Sequence, residues 1–178
     1  MNPLQLIEKY YDSQGEAYSI LTLHSRLVAD KSITIAKNNT SLNINIDFIA
    51  QAAMLHDIGV FLTNAPEIDC HGSYPYISHG YLGADILRKE GYPIHALVCE
   101  RHTGTGLTLD EIKMKNLPVP PRDMLPISLE EQLICFSDKF FSKTNPQNEK
   151  SIEEVRLSLS KFGLDSVAKF DAWCILFL

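Results

Sequence analysis

Six side chains carry more chemistry than their surroundings call for: His24, the adjacent pair His56-Asp57, His79, His102 and Asp138. Neutral imidazoles and ionised carboxylates are the nitrogen and oxygen donors that divalent transition metals take. Their spacing predicts burial. His24 falls four residues after Ile20, three after Leu21 and four before Val28, in the middle of an apolar helical stripe. His56 follows Ala52 and Ala53 at four and three residues, and Asp138 follows Ile134 by four and precedes Phe141 by three. A buried carboxylate without a cation costs several kcal/mol even after the protein relaxes. No Arg or Lys lies obviously on the facing stripes, whereas three helices each present an inward His or Asp, the way helical bundles assemble metal sites. A divalent ion is then the economical counter-charge for Asp138. Taken singly, each residue has an ordinary explanation: a core histidine satisfied by a hydrogen bond, a helix-terminal pair, a residue that follows a cap, a partner for a helix dipole. Four imidazoles and two carboxylates at helical positions able to converge leave less room for coincidence.

The elements that must hold these residues read as helices joined by punctuated loops. Ser13-Gln14-Gly15-Glu16 has the form of a capping box, so a helix is predicted from there to Asn38-Asn39, carrying His24. Asn45 or Asp47 caps the next, with Gly59 as its left-handed stop. Residues 62–77 read as loop. Ser78 is placed as the cap of a helix ended by Gly91, and Pro93 opens another that leads to His102. Residues 103–127 hold Gly104, Gly106, Pro118, Pro120, Pro121 and Pro126, with a brief helical piece near Leu109–Lys115; a loop this long is a candidate lid. Ser128 with Glu131 forms a second capping box for a helix through Phe141, and amphipathic stretches at about 150–161 and 164–177 finish the chain. No convincing strand alternation appears. The expected class is an all-α bundle of about six to eight helices, one domain over 1–178, with the motif-bearing part at about 15–142.

Composition narrows the function. A chain of 178 residues with 45% hydrophobic and 21% charged residues suits one folded core, and a net charge of −6 argues against nucleic-acid binding through a broad basic surface. A small ligand stays allowed. The N-terminal residues lack a basic stretch before a long apolar run, and the longest apolar block, Ala172–Leu178, is far short of the ~20 residues of a membrane span. Cytoplasm is the expected compartment, with that block docked on the core or on a second copy in a homodimer. Cys70, Cys99, Cys135 and Cys174 form no C-x-x-C pair and read as reduced, mostly buried thiols.

Ala53-Met54-Leu55-His56-Asp57-Ile58-Gly59 resembles the signature of the HD superfamily of metal-dependent phosphohydrolases in its HDIG variant, with His24 upstream and Asp138 downstream completing the pattern. Ile77-Ser78-His79-Gly80 and Glu100-Arg101-His102-Thr103-Gly104 further resemble the subset with two additional histidines and a binuclear centre. The resemblance implies that His24, His56, Asp57 and Asp138 hold one ion, while Asp57 bridges to a second held by His79 and His102. Iron or manganese suits such donors best, with zinc, magnesium or nickel as alternatives. Two ions about 3.5–4 Å apart activate a water and neutralise a transferring phosphoryl group. The implied activity is hydrolysis of a small phosphorylated substrate of nucleotide type, and diadenosine tetraphosphate hydrolases are among the small members that this sequence resembles. Two other readings share the ligands: a di-iron oxygenase, and a regulatory domain that binds metal without turnover. Where many relatives carry Lys or Glu shortly after HD, this chain has Val60 and Phe61. Lys139 and Arg101, next to proposed ligands, are the expected catalytic cations alongside Asp57. His71 reads as a loop histidine and His95 as a residue behind the site, seven positions before His102.

Overall fold

In a computed structural model covering residues 1–178, the chain forms nine α-helices and one minimal strand pair. Asn2 accepts backbone hydrogen bonds from Leu4 and Gln5 and starts a short helix that the sequence pattern left unnoticed, α1 (Pro3–Ile7). The long helix α2 (Glu16–Asn38) is capped by Gly15, not by the expected Ser13 box. Asp12 is the reason: its side chain accepts from Gln14 N at 3.0 Å and its carbonyl from Gly15 N at 2.9 Å, a turn that holds Ser13 outside the cap. Asn45 caps α3 (Ile46–Leu55) by accepting from Phe48 N.

Gly59 does not end that helix in a left-handed turn; its φ is −83°. Its role is close approach. A Cβ there would collide with the backbone of Gly83 and His79, so the missing side chain lets the turn after α3 seat against α4 (His79–Lys89). Segment 62–77 is not the plain loop expected: β1 (Asn64–Ala65) and β2 (Cys70–His71) pair antiparallel, with short 3-10 turns at Pro66–Ile68 between them and at Tyr76–Ser78 after them. Helix α4 closes with Gly91 at φ +85°, and Tyr92 N returns to Leu87 O at 2.8 Å, which reverses the chain into α5 (Pro93–Arg101). Ser78 precedes α4 without capping it; its hydroxyl donates to Pro118 O instead. The predicted lid segment contains α6 (Leu109–Met114), opened by a full Thr108–Glu111 capping box.

Ser128 caps α7 (Leu129–Asp138), which stops at Asp138, short of Phe141. The Glu131 half of that box is absent because its carboxylate pairs with Arg101. Helices α8 (Ile152–Ser160) and α9 (Leu164–Phe177) complete the chain. The terminal apolar block docks on the chain's own core through Trp173 and Phe177, while Ile175 and Leu178 face out. No helix is long and apolar enough to cross a membrane. All four cysteines are free thiols, three of them buried.

Two apolar clusters make the interior. One gathers Val28, Ala52, Ala53, Leu133 and Ile134 with Phe136, Phe170 and Phe177. The other gathers Leu21, Leu55, Ile58, Leu87 and Cys99 with α1. His24 lies between Leu21 and Val28, and His56 between Ala53 and Ile58, so α2 and α3 each place an imidazole on the seam between the clusters.

Candidate metal centre

Except for His24, in the interior of α2, the polar residues of the seam sit at helix ends. His56 is the C-cap of α3, His79 the first residue of α4, His102 the C-cap of α5, and Asp138 the last residue of α7. At all three terminal histidines the ring Nδ1–H donates to the carbonyl three residues earlier: His56 to Ala53 at 2.6 Å, His79 to Tyr76 at 2.6 Å, His102 to Cys99 at 2.7 Å. That bond fixes the tautomer and aims the Nε2 lone pair away from the helix. His24 lacks such a guide; its Nδ1 is buried without a partner. Buried thiols satisfy neighbouring carbonyls, Cys99 donating to His56 O at 2.9 Å and Cys135 to His102 O at 3.3 Å. Burial pushes the Cys135 thiol up to about 12 and keeps it protonated for that role.

The donors converge in two groups that share one residue. His24 Nε2 is 3.2 Å from Asp57 Oδ2 and 3.0 Å from Asp138 Oδ1, and His56 Nε2 is 3.0 and 3.5 Å from the same oxygens. On the other side, His79 Nε2 and His102 Nε2 each lie 3.3 Å from Asp57 Oδ1 and 3.0 Å from each other. Within each group the donor atoms lie within 4.8 Å of one another. Asp57 faces both, one oxygen to each.

The pair His79 and His102 tests whether a metal fits. Both rings spend their N–H on a carbonyl, so two lone pairs face each other beside a carboxylate oxygen. Nothing in that trio can donate. Burial, helped by His102 and Lys143 against the pull of Asp57, drives His79 down to about 3, and burial lowers His102 as well, so neither ring takes up a proton at neutral pH to relieve the conflict. Asp57 Oδ1 is buried and finds no hydrogen-bond donor in the chain. A divalent cation held by His79, His102 and Asp57 Oδ1 would satisfy all three atoms at once, and nitrogen with carboxylate oxygen is a donor set for such ions. His56 behaves differently: burial opposes its charge, but Asp57 and Asp138 outweigh burial and raise it to about 9. Burial would raise both carboxyls, yet His56 and Lys143 hold Asp57, and Lys139 and His24 hold Asp138, well below the usual range.

A cavity of about 570 Å³ opens on this centre, with His79, His102, Asp138, Lys139, Lys143 and Tyr76 among its walls. Segment 103–127 contributes Thr103 to Leu107 and one side of α6, which puts the predicted lid on the cavity.

A sequence profile of the HD domain matches residues 22–142, more than half of the chain. The chain belongs to the HD-domain family. It is 35% identical over 113 residues to an uncharacterised protein of Methanocaldococcus jannaschii, a match covering 63% of this chain and 59% of that protein. It is 29% identical over 167 residues to the tRNA (cytidine(56)-2'-O)-methyltransferase of Thermoplasma volcanium, covering 93% of this chain and 42% of the relative. A protein of the same name from Picrophilus torridus is 33% identical over 105 residues, covering 58% and 27%. The chain thus spans less than two thirds of the length of each of these relatives. No solved structure matches it.

In this HD domain the six residues singled out in the sequence come together, while the two expected cations part ways. Lys139 lines the cavity, its ammonium donating to Asp138 Oδ2 at 2.7 Å and His102 O at 3.1 Å. Arg101 does not line it: its guanidinium pairs with Glu131 at 2.9 and 3.1 Å. Adjacent helical residues diverge by about 100° around the axis, so the neighbour of a ligand at the end of α5 turns toward α7. His95 packs against Phe48 and Tyr92, away from the donors, and exposed His71 pairs with Asp69. The cation that sequence reasoning missed is Lys143. Its Nζ lies 2.5 Å from Asp57 Oδ2 with the side chain only 11% exposed, and Asp57 outweighs burial to raise its pKa. It follows the end of α7, where no periodicity points a side chain, so the only available signal was a lysine five residues after Asp138.

Proposed function

We propose that this protein is a metal-dependent phosphohydrolase acting on a small phosphorylated substrate of the nucleotide class. One observation carries the reading: a two-lobed His/Asp cluster shares its cavity with two lysines, Lys139 and Lys143, whose ammonium groups sit at its carboxylates. His24, His56, Asp57 and Asp138 would hold one ion, and Asp57, His79 and His102 a second, iron or manganese by donor type. Such a pair of ions supplies an activated water and charge neutralisation at phosphorus. Lys143, ion-paired with Asp57 at the cavity wall, is the ammonium that would turn to phosphate oxygens once a metal takes over Asp57, as a point charge. Lys139 is tied down by Asp138 and His102 and acts by holding Asp138 in place. Asp57 aims one oxygen at each lobe, so its orientation couples the two halves. Thr103 to Leu107, pinned where Leu107 pairs with Met124, shields the reacting end from bulk water.

The methyltransferase name belongs to relatives of which the matched segment is 42% and 27%. Methyl transfer does not call for converging imidazoles and carboxylates, so we do not carry that activity to this chain. The deciding experiment is hydrolysis of p-nitrophenyl phosphate and a nucleotide panel by manganese- or iron-loaded protein under nitrogen. Metal-dependent phosphate release without oxygen is the expected result; oxygen consumption with a mixed-valent iron signal would replace the reading with an oxygenase.

A further inference from the structure

The family match ends at residue 142, yet the cavity does not. Lys143, Lys150, Val155, Ser158, Leu159 and Phe162 also line it, all supplied by the chain beyond the matched segment. These residues divide by chemistry. Lys143 stands at the carboxylates of the metal centre. Val155 and Leu159 are buried on the inward face of α8 and give the cavity an apolar wall. Phe162 sits in the turn between α8 and α9, where Gly163 at φ +123° reverses the chain. The residue is 62% exposed. A large aromatic side chain that lines a cavity but finds no cover in its own core is a stacking platform open to a planar ligand. Lys115, just past the end of α6, donates to Phe162 O at 3.5 Å, which links the lid segment to this turn. Ser158 and Ser166 belong to the same lining, so the subsite is not wholly apolar. A volume of about 570 Å³ is ample for a ligand of drug-like size.

We infer that the α8–α9 turn forms a nucleobase subsite: a nucleoside 5′-phosphate binds with its phosphate toward Lys143 and its base stacked on Phe162. The inference rests on the phosphohydrolase reading and assigns substrate selection to residues that the HD-domain match does not include.

The test measures binding and turnover separately. Manganese-loaded full-length protein is titrated calorimetrically with the hydrolysis-resistant 5′-methylenephosphonate analogues of adenosine, guanosine, cytidine and uridine monophosphates, and with the base-free ribose analogue. At least one nucleoside analogue should bind about 10-fold or more tighter than the ribose analogue. Phe162→Ala should erase that preference without weakening the ribose analogue, and Phe162→Trp should restore it. Because Phe162 is exposed, the variants should keep the wild-type melting temperature. Equal affinity for all five ligands, or a base preference that survives Phe162→Ala, would overturn the subsite. Turnover of p-nitrophenyl phosphate is scored independently: its absence removes the hydrolase reading, while the binding contrast still decides the subsite.

Discussion

Two regions of this protein bury carboxylates, and they differ in how completely the chain's own cations cover the charge. Glu100, 6% exposed, accepts from Arg88 Nη2 at 2.6 Å and from Arg122 through both Nε and Nη2, so each oxygen has a guanidinium. Glu131 likewise takes two bonds from Arg101 and one from Ile127 N. These pairs clamp the end of segment 103–127 to α5 and α7. Asp57, with 0% exposure, meets a single ammonium, Lys143 at Oδ2, and is otherwise ringed by four imidazoles, three of which commit their Nδ1–H to a carbonyl. The chain supplies its own cations where the task is to hold a loop. At Asp57 it supplies cations to one oxygen only: Lys143 and His56 face Oδ2, whereas Oδ1 faces the lone pairs of His79 and His102. A satisfied carboxylate pins structure, whereas an under-satisfied one surrounded by lone pairs is a binding site.

The sharpest way to break this contrast is Asp57→Ala. Loss of the shared carboxylate should remove both ions and lower kcat/KM on the order of 10³-fold, about 4 kcal/mol of transition-state stabilisation. His79→Ala or His102→Ala should remove one ion and keep the other. Metal analysis that finds two ions per chain in all three variants would refute the two-lobed assignment. Lys143→Ala should keep the metal content and reduce kcat/KM by about 10- to 100-fold, the scale of a charge-assisted hydrogen bond. An unchanged value means that this lysine does not meet the phosphate.

The two regions should also separate by pH. With His56 raised to about 9 in the metal-free centre, an incoming ion must displace its proton, so metal affinity should fall by up to about tenfold per pH unit as pH drops below 9. Equilibrium dialysis at several pH values reads the slope, and a flat profile from pH 9 to 7 would contradict the assignment of His56 as a ligand. The clamp works in another window. Burial raises the Glu100 carboxyl, but Arg122 and Arg88 outweigh it and hold it low. Its contribution to stability is therefore complete above the unfolded carboxyl's ordinary value and is lost only as pH falls through the lower folded one. Glu100→Gln should cost about 1–2 kcal/mol, discounted because both arginines are partly exposed, and should leave the metal stoichiometry at its wild-type value. A chemical denaturation curve superimposable on wild type would show that the clamp contributes nothing.

What could be read along the chain was whatever one helix face encodes. His24 between Leu21 and Val28, His56 after Ala52 and Ala53, and Asp138 after Ile134 were legible because a polar side chain on an apolar stripe can point only inward. The all-α class, the cap at Asn45, the starts at Pro93 and Ser128, and the two C-terminal helices came from the same local rules. Ser13 failed as a cap because the neighbouring Asp12 formed a competing turn, a contest between adjacent side chains that the motif alone does not rank. Gly59 was recognised as necessary for the wrong reason. Its position serves contact with Gly83 of α4, a residue 24 places further along the chain.

The amino-acid sequence by itself determined which atoms could bind a metal, since imidazole and carboxylate chemistry belongs to the residue and inward direction to the helical period. Tertiary structure alone decided which cation reaches them. Lys143 arrives from a turn, Arg101 is drawn off to Glu131, and Phe162 comes to the cavity on helices that lie outside the motif. Such choices depend on distances between elements far apart in the chain, and the periodicity of a single element carries no information about its neighbours.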